Sequence, residues 1–119
     1  MAVSGFIEPH SHLDKALISE RAPVNVSGAL MEAIEILWNI KRNRTVDEIA
    51  DRASCVLERA LVHGISRLRT HVDVDPIRGT RPAEGLIRAR NRFRDLMDIQ
   101  IVAFPQEGIV KSPGTKMVK

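Results

Sequence analysis

Two histidines with one residue between them, in His10-Ser11-His12, are the most chemically suggestive feature of this sequence. They follow a short stretch that reads as a β-strand, and residues two apart on a strand project to the same side. Two imidazoles can then approach one ion from a single strand end, and imidazole suits zinc and iron. The pair reads equally as a solvated loop pair, because zinc takes three or four protein ligands. The other histidines are His63 and His71. His63 precedes Gly64 at the end of a helical pattern, where the helix dipole favours a cation, so its reading is structural. His71, followed by Asp73 and Asp75, either faces the same mouth or is structural. Cys55 falls on the apolar stripe of a helix and reads as packing rather than as a nucleophile. Gln106, in Phe104-Pro105-Gln106-Glu107-Gly108, carries a donor and an acceptor. They suit an amide or pyrimidine edge, or ordinary turn chemistry.

The elements that must position these residues alternate strand and helix. Residues 3–9 read as the first strand. Ser27 is a candidate N-cap for an amphipathic helix over 30–41. Thr45, with Glu48 three residues on, is a capping-box signature. It opens a helix whose stripe is Ile49, Ala53, Val56, Leu57 and Ala60, and Gly64 supplies the left-handed residue at its end. Residues 65–74 read as the second strand and 83–96 as a third helix carrying Leu86, Ala89, Phe93 and Met97. Residues 99–104 form an apolar third strand, as expected of one buried on both faces. Strands separated by helices imply parallel pairing with right-handed crossovers. The fold class is therefore α/β. A (β/α)8 barrel needs about 250 residues, so 119 residues make only its first three βα units, an incomplete TIM-like barrel. Residues 1–119 are read as one partial barrel domain with a frayed tail over 111–119.

Strand parity sharpens the expectation. Leu68, Thr70 and Val72 would pack on helices, as would Ile99, Ile101 and Ala103. Arg67, Arg69, His71 and Asp73 would face the barrel interior, with Gln100, Val102, Phe104 and Gln106. If His10 and His12 face inward, strict alternation places Phe6 and Glu8 inward too. Buried charges must be paired, so Glu8 and Arg69 are expected to neutralise each other.

Composition narrows the function classes. Lys plus Arg is 18 against 15 Asp plus Glu, a net charge of +3, which demands no nucleic acid. The aromatics are Phe6, Trp38, Phe93 and Phe104, too few for a base-stacking surface. Arg88, Arg90, Arg92 and Arg94 read as a solvated helix face. One cysteine excludes an intrachain disulfide. No apolar run reaches the roughly 18 residues of a membrane helix, and the start lacks a signal-peptide pattern. A cytoplasmic protein with neither a nucleic-acid nor a membrane partner is expected.

Three stretches, residues 5–15 (GFIEPHSHLDK), 69–74 (RTHVDV) and 98–108 (DIQIVAFPQEG), together resemble the amidohydrolase superfamily, and within it the cytosine deaminase branch. Enzymes acting on N-alkylated triazines share similar segments. The resemblance spans about residues 3–115. It implies a metal-dependent barrel and hydrolytic deamination of cytosine or a related nitrogen heterocycle, with Fe²⁺ or Zn²⁺ activating water. His10 and His12 match the first two metal ligands, and Gln106 matches the glutamine that holds the pyrimidine ring. The family's third metal histidine, acid/base glutamate, later histidine and metal-binding aspartate lie downstream of the matched region. The resemblance thus implies an amino-terminal part of the barrel, inactive alone. A non-catalytic binding or regulatory module and an N-alkyl triazine hydrolase are the alternatives. Homo-oligomerisation is left open for the full-length enzyme.

Overall fold

The computed structural model describes residues 1–19, 23–75 and 79–105. Strand β1 (Phe6–Ser11) leads through a 3₁₀ turn (Leu13–Lys15) to helix α1 (Leu30–Arg42). Helix α2 (Val46–Val62), strand β2 (Ile65–Asp73), helix α3 (Arg81–Arg92) and strand β3 (Asp98–Phe104) follow. The strands form one parallel sheet in the order β1-β2-β3, the open sheet expected of three barrel units.

Local chemistry explains most boundaries. Thr45 caps α2 by accepting the Glu48 N–H at 3.2 Å, one half of the capping box. The helix ends at His63, and Gly64 takes φ +86°, a conformation that costs glycine little. α1 departs from expectation, because its N-cap is Ala29 and not Ser27. The Ser27 hydroxyl accepts the Ala29 N–H one step earlier and so shapes the approach rather than the cap. α3 starts at Arg81 and not at residue 83, since Pro82 is tolerated in a first helical turn. It stops at Arg92, and Phe93 and Met97 reach the core from the turn beyond.

The core lies between the sheet and helices α2 and α3. Ile49, Ala53 and Leu57 of α2, Leu68 and Val72 of β2, and Leu86 and Ala89 of α3 are all buried there. Val56 and Ala60 pack at its margin, and Cys55 is half-buried with a free thiol. Each fully buried aliphatic side chain contributes roughly 1.5–3 kcal/mol, and this stripe-on-stripe packing fixes which sheet face remains open. Gly85 makes the close approach of α3 to α2 possible. A β-carbon there would lie 2.6 Å from Ile49 Cγ2 and 2.8 Å from Ile49 Cβ. The branch point of Ile49 cannot swing aside, so Gly85→Ala is expected to destabilise the fold by about 1–2 kcal/mol despite alanine's better helix propensity. Urea denaturation checks this, and an unchanged midpoint would refute it.

Parity holds on most of β2 and most of β3. Leu68, Thr70 and Val72 are buried toward the helices, while Arg67, Arg69 and Gln100 are exposed on the open face. Ile99 and Ile101 pack on the core, but Ala103 is exposed. Asp73, assigned to the open face, is wholly buried, and its backbone N–H lies 3.4 Å from Asp14 Oδ2.

Strict alternation fails on β1. Glu8 is in register with Leu68, and Ser11 with Thr70. Three steps on β1 thus match two on β2, a one-residue bulge at Pro9–His10. Proline has no N–H to give to the ladder, which suits it to that place. The bulge throws Glu8 out of phase with the histidines, and the expected Glu8–Arg69 pair does not form. Glu8 instead accepts the His10 backbone N–H at 3.0 Å, and Arg69 donates its Nε–H to Gln100 Oε1 at 2.7 Å.

Arg88 and Arg92 pair with Asp47 and Asp51 of α2, the latter at 2.8 Å. These exposed bridges are worth about 0–1 kcal/mol each. Among the described residues, no helix is long and apolar enough to cross a membrane. The tail over 111–119 lies outside the described residues.

Candidate metal and substrate site

The histidine pair is held by contacts on both sides of His12. Ser11 Oγ donates to the Arg69 carbonyl at 2.9 Å. The Leu13 N–H donates to buried Thr70 Oγ1 at 3.0 Å. The turn that follows is clamped from α2 by Arg52, which is 7% exposed. Its guanidinium bonds the Ala16 carbonyl and reaches the Asp14 carbonyl at 3.2 Å. Glu48 holds Arg52 in turn, at 2.7 Å from its Nε, and also binds Arg44 at 2.9 Å. The α2 capping glutamate therefore indirectly steadies the chain just after His12.

Held this way, His10 and His12 turn their Nε2 atoms toward one another at 3.3 Å. Their ring centroids are 5.1 Å apart and their planes are inclined by 71°. Two imidazole nitrogens on one tetrahedral ion, each about 2.0–2.1 Å from it, lie about 3.3–3.4 Å apart. The donor set and its spacing therefore fit a divalent ion bridging the two rings. His12 Nδ1 is buried and makes no hydrogen bond among the described residues. No group of three potential ligands is gathered among them.

His71 completes an aromatic cluster with them. Its ring stacks on His10 at 4.4 Å and lies 5.8 Å from His12. Phe104, the last residue of β3, stands 5.7 Å from His12. Lys15 Nζ sits 5.6 Å above the Phe104 ring. These five residues line one recess of about 330 Å³.

Parity reasoning placed His10, His12, His71 and Phe104 on this side, and the structure brings them together. Lys15 was not singled out on its chemistry, since a 3₁₀ turn has no readable period; only its place beside the histidines in residues 5–15 pointed to it. His63 is remote in role. It caps α2, with Nδ1 2.7 Å from the Arg59 carbonyl. Gln106 lies outside the described residues.

Burial pushes the His12 imidazole below its ordinary value of 6.5, and the nearby Lys15 charge adds to the effect. His12 is thus neutral at pH 7, the form that can ligate a cation. In the unfolded chain it takes up its proton at a higher pH than in the folded one. Its contribution to stability is therefore present above pH 6.5 and is lost as pH falls from there through the depressed folded value. An NMR titration of the His12 ring is expected to show a midpoint below 6.5, and a midpoint at or above that value would contradict the burial.

No protein-family model matches the chain. Its sequence is 37% identical over 108 residues to N-isopropylammelide isopropyl amidohydrolase of Pseudomonas sp. (strain ADP), covering 87% of this chain and 27% of the relative. It is 31% identical over 107 residues to a pterin deaminase of Rhizobium rhizogenes, covering 88% and 24%. Its fold superposes with a TM-score of 0.83 on 5-methylcytosine deaminase from Klebsiella pneumoniae, solved with 5-fluorocytosine, at 36% identity over 95% of this chain and 27% of that one. The chain spans about a quarter of the length of the relatives it matches. Its homologues are therefore amidohydrolases, and its three-stranded parallel sheet with helices matches a part of their fold.

Proposed function

We propose that this chain carries the metal grip and one substrate wall of a hydrolase of the cytosine deaminase type, which cleaves a non-peptide C–N bond of a nitrogen heterocycle. The observation that carries this reading is the approach of His10 and His12 Nε2 to 3.3 Å in a recess walled by Phe104. In it, His10 and His12 give these nitrogens to Fe²⁺ or Zn²⁺. The ion, when bound, polarises water for attack on the ring carbon that bears the amino group. The chain's own residues do the rest of what is assigned to it. Phe104 offers a flat apolar face to the ring, and Lys15 holds a positive charge at the rim. Gln106, two residues past Phe104, takes the pyrimidine edge through its amide.

Cytosine as substrate is supported by the 5-fluorocytosine bound to the Klebsiella deaminase. An N-alkyl triazine is the second reading, supported by the 37% identity to the isopropylammelide enzyme. Two protein ligands fall short of a full zinc shell, so the 119-residue polypeptide is proposed to bind the ion without turning over. A cytoplasmic location belongs to the same proposal and is supported by the single cysteine.

The test incubates the chain with cytosine or N-isopropylammelide in the presence of Fe²⁺ or Zn²⁺. Ammonia and isopropylamine are measured beside metal uptake by calorimetry. One equivalent of metal bound with no amine released is the expected result. Metal-dependent release would overturn the incompleteness, and absence of uptake would overturn the grip.

A further inference from the structure

His10 is the less secure member of the pair. It sits at the bulge of β1, an edge strand, and its ring is exposed. His12 is pinned by the bonds of Ser11 and Leu13 on either side of it, whereas among the described residues the His10 ring rests on its contacts with the His12 and His71 rings. His71 is placed differently. It lies on the central strand, paired in register with Val102 of β3, and its ring is half-buried.

We propose that His71 is a positioning residue. Its ring is the wall that holds the His10 imidazole with Nε2 turned toward His12. The inference rests on reading His10 and His12 as the metal grip. The geometry separates this role from that of a third ligand. The His71 and His10 rings are stacked, with centroids 4.4 Å apart and 29° between their planes. A ligand nitrogen directs its lone pair within its own ring plane, at an ion about 2 Å away. Two stacked rings do not aim their lone pairs at one point between them, and no group of three potential ligands is gathered among the described residues. Nor is the His71 ring held by a hydrogen bond at Nδ1, which is buried without a partner among the described residues. Phe104 backs the ring edge-on, at 6.3 Å and 82°. The demand on position 71 is therefore an aromatic face, not an imidazole nitrogen.

The experiment compares the full chain with H71A and H71F, first without metal. Proton shifts of the His10 ring report the stack directly. Displaced shifts in the wild type and in H71F, moving to exposed-histidine values in H71A, are expected. Exposed-histidine values in the wild type would overturn the proposal, as would unchanged shifts in H71A or an H71F that behaves like H71A. Cobalt titration is the second readout. Affinity for Co²⁺ is expected to fall about tenfold in H71A, the scale of losing a group that orients a ligand, and to return in H71F with the same visible absorption. Loss of Co²⁺ in H71F equal to that in H10A would make His71 a ligand and overturn the proposal. If the wild type takes up no Co²⁺ while the ring shifts behave as expected, the metal reading falls and the bracing of His10 stands.

Discussion

Replacing either His10 or His12 with alanine is expected to abolish tight binding of divalent cations, lowering affinity at least about a hundredfold for Zn²⁺ or Co²⁺. The two nitrogens share one spot 3.3 Å apart, so neither alone offers more than a single weak bond. The double variant should bind no more weakly than either single one, because the interaction is already lost. Thermal stability gives an independent reading. An ion that binds only the folded chain adds about 2.7 kcal/mol at a hundred times its Kd, and that increment should vanish in both variants. His63→Ala is the control, since His63 belongs to the α2 cap, and it should keep the wild-type affinity. Retained affinity in H10A and H12A would remove the metal grip altogether.

The second large effect belongs to a residue that touches no ligand. Arg52→Leu is expected to cost about 2–4 kcal/mol of stability, the scale of losing charge-assisted hydrogen bonds and leaving buried acceptors unmet. The change strips Glu48 of a bond made at 2.7 Å. It also leaves the Ala16 and Asp14 carbonyls without the donor that fixes them. Leucine fills the volume but supplies no N–H, so packing cannot compensate. Arg52→Lys should recover only part, since one ammonium does not reproduce a guanidinium fork. Urea denaturation gives the stability, and calorimetry with Zn²⁺ should show weakened binding, because the clamped turn begins immediately after His12. A loss below about 1 kcal/mol, the level of an exposed pair, would show that Arg52 carries no such burden.

Much of this arrangement was legible in the sequence because it obeys a period. The α2 stripe from Ile49 to Ala60 and the α3 stripe through Leu86 and Ala89 repeat as a helix face must, and both lie in the core. Thr45 with Glu48 located the start of α2, and the twofold alternation of β2 told Leu68 and Val72 apart from Arg67 and Arg69. What was not legible broke a period or depended on a partner far along the chain. The bulge at Pro9–His10 defeats any argument from alternation, which is why Glu8 was assigned the wrong neighbour. Position in the chain gave no sign that Arg52, on a polar-looking helix turn, would reach back 36 residues to the Ala16 carbonyl. The stack of His71 on His10 required the register of β1 against β2, which no property of either strand alone specifies.

That extra residue in β1 also divides the strand's obligations. Beyond it, the facing of His12 is dictated by Ser11 and Leu13 gripping β2, and from the first half of the strand the Glu8 carboxylate reaches across to the His10 backbone N–H. The strand before Glu8 is therefore at liberty to drift, gaining or losing length over evolutionary time, without retuning the histidine-bearing half. Tolerance to change should fall abruptly at Glu8, making one short strand behave as two genetic territories.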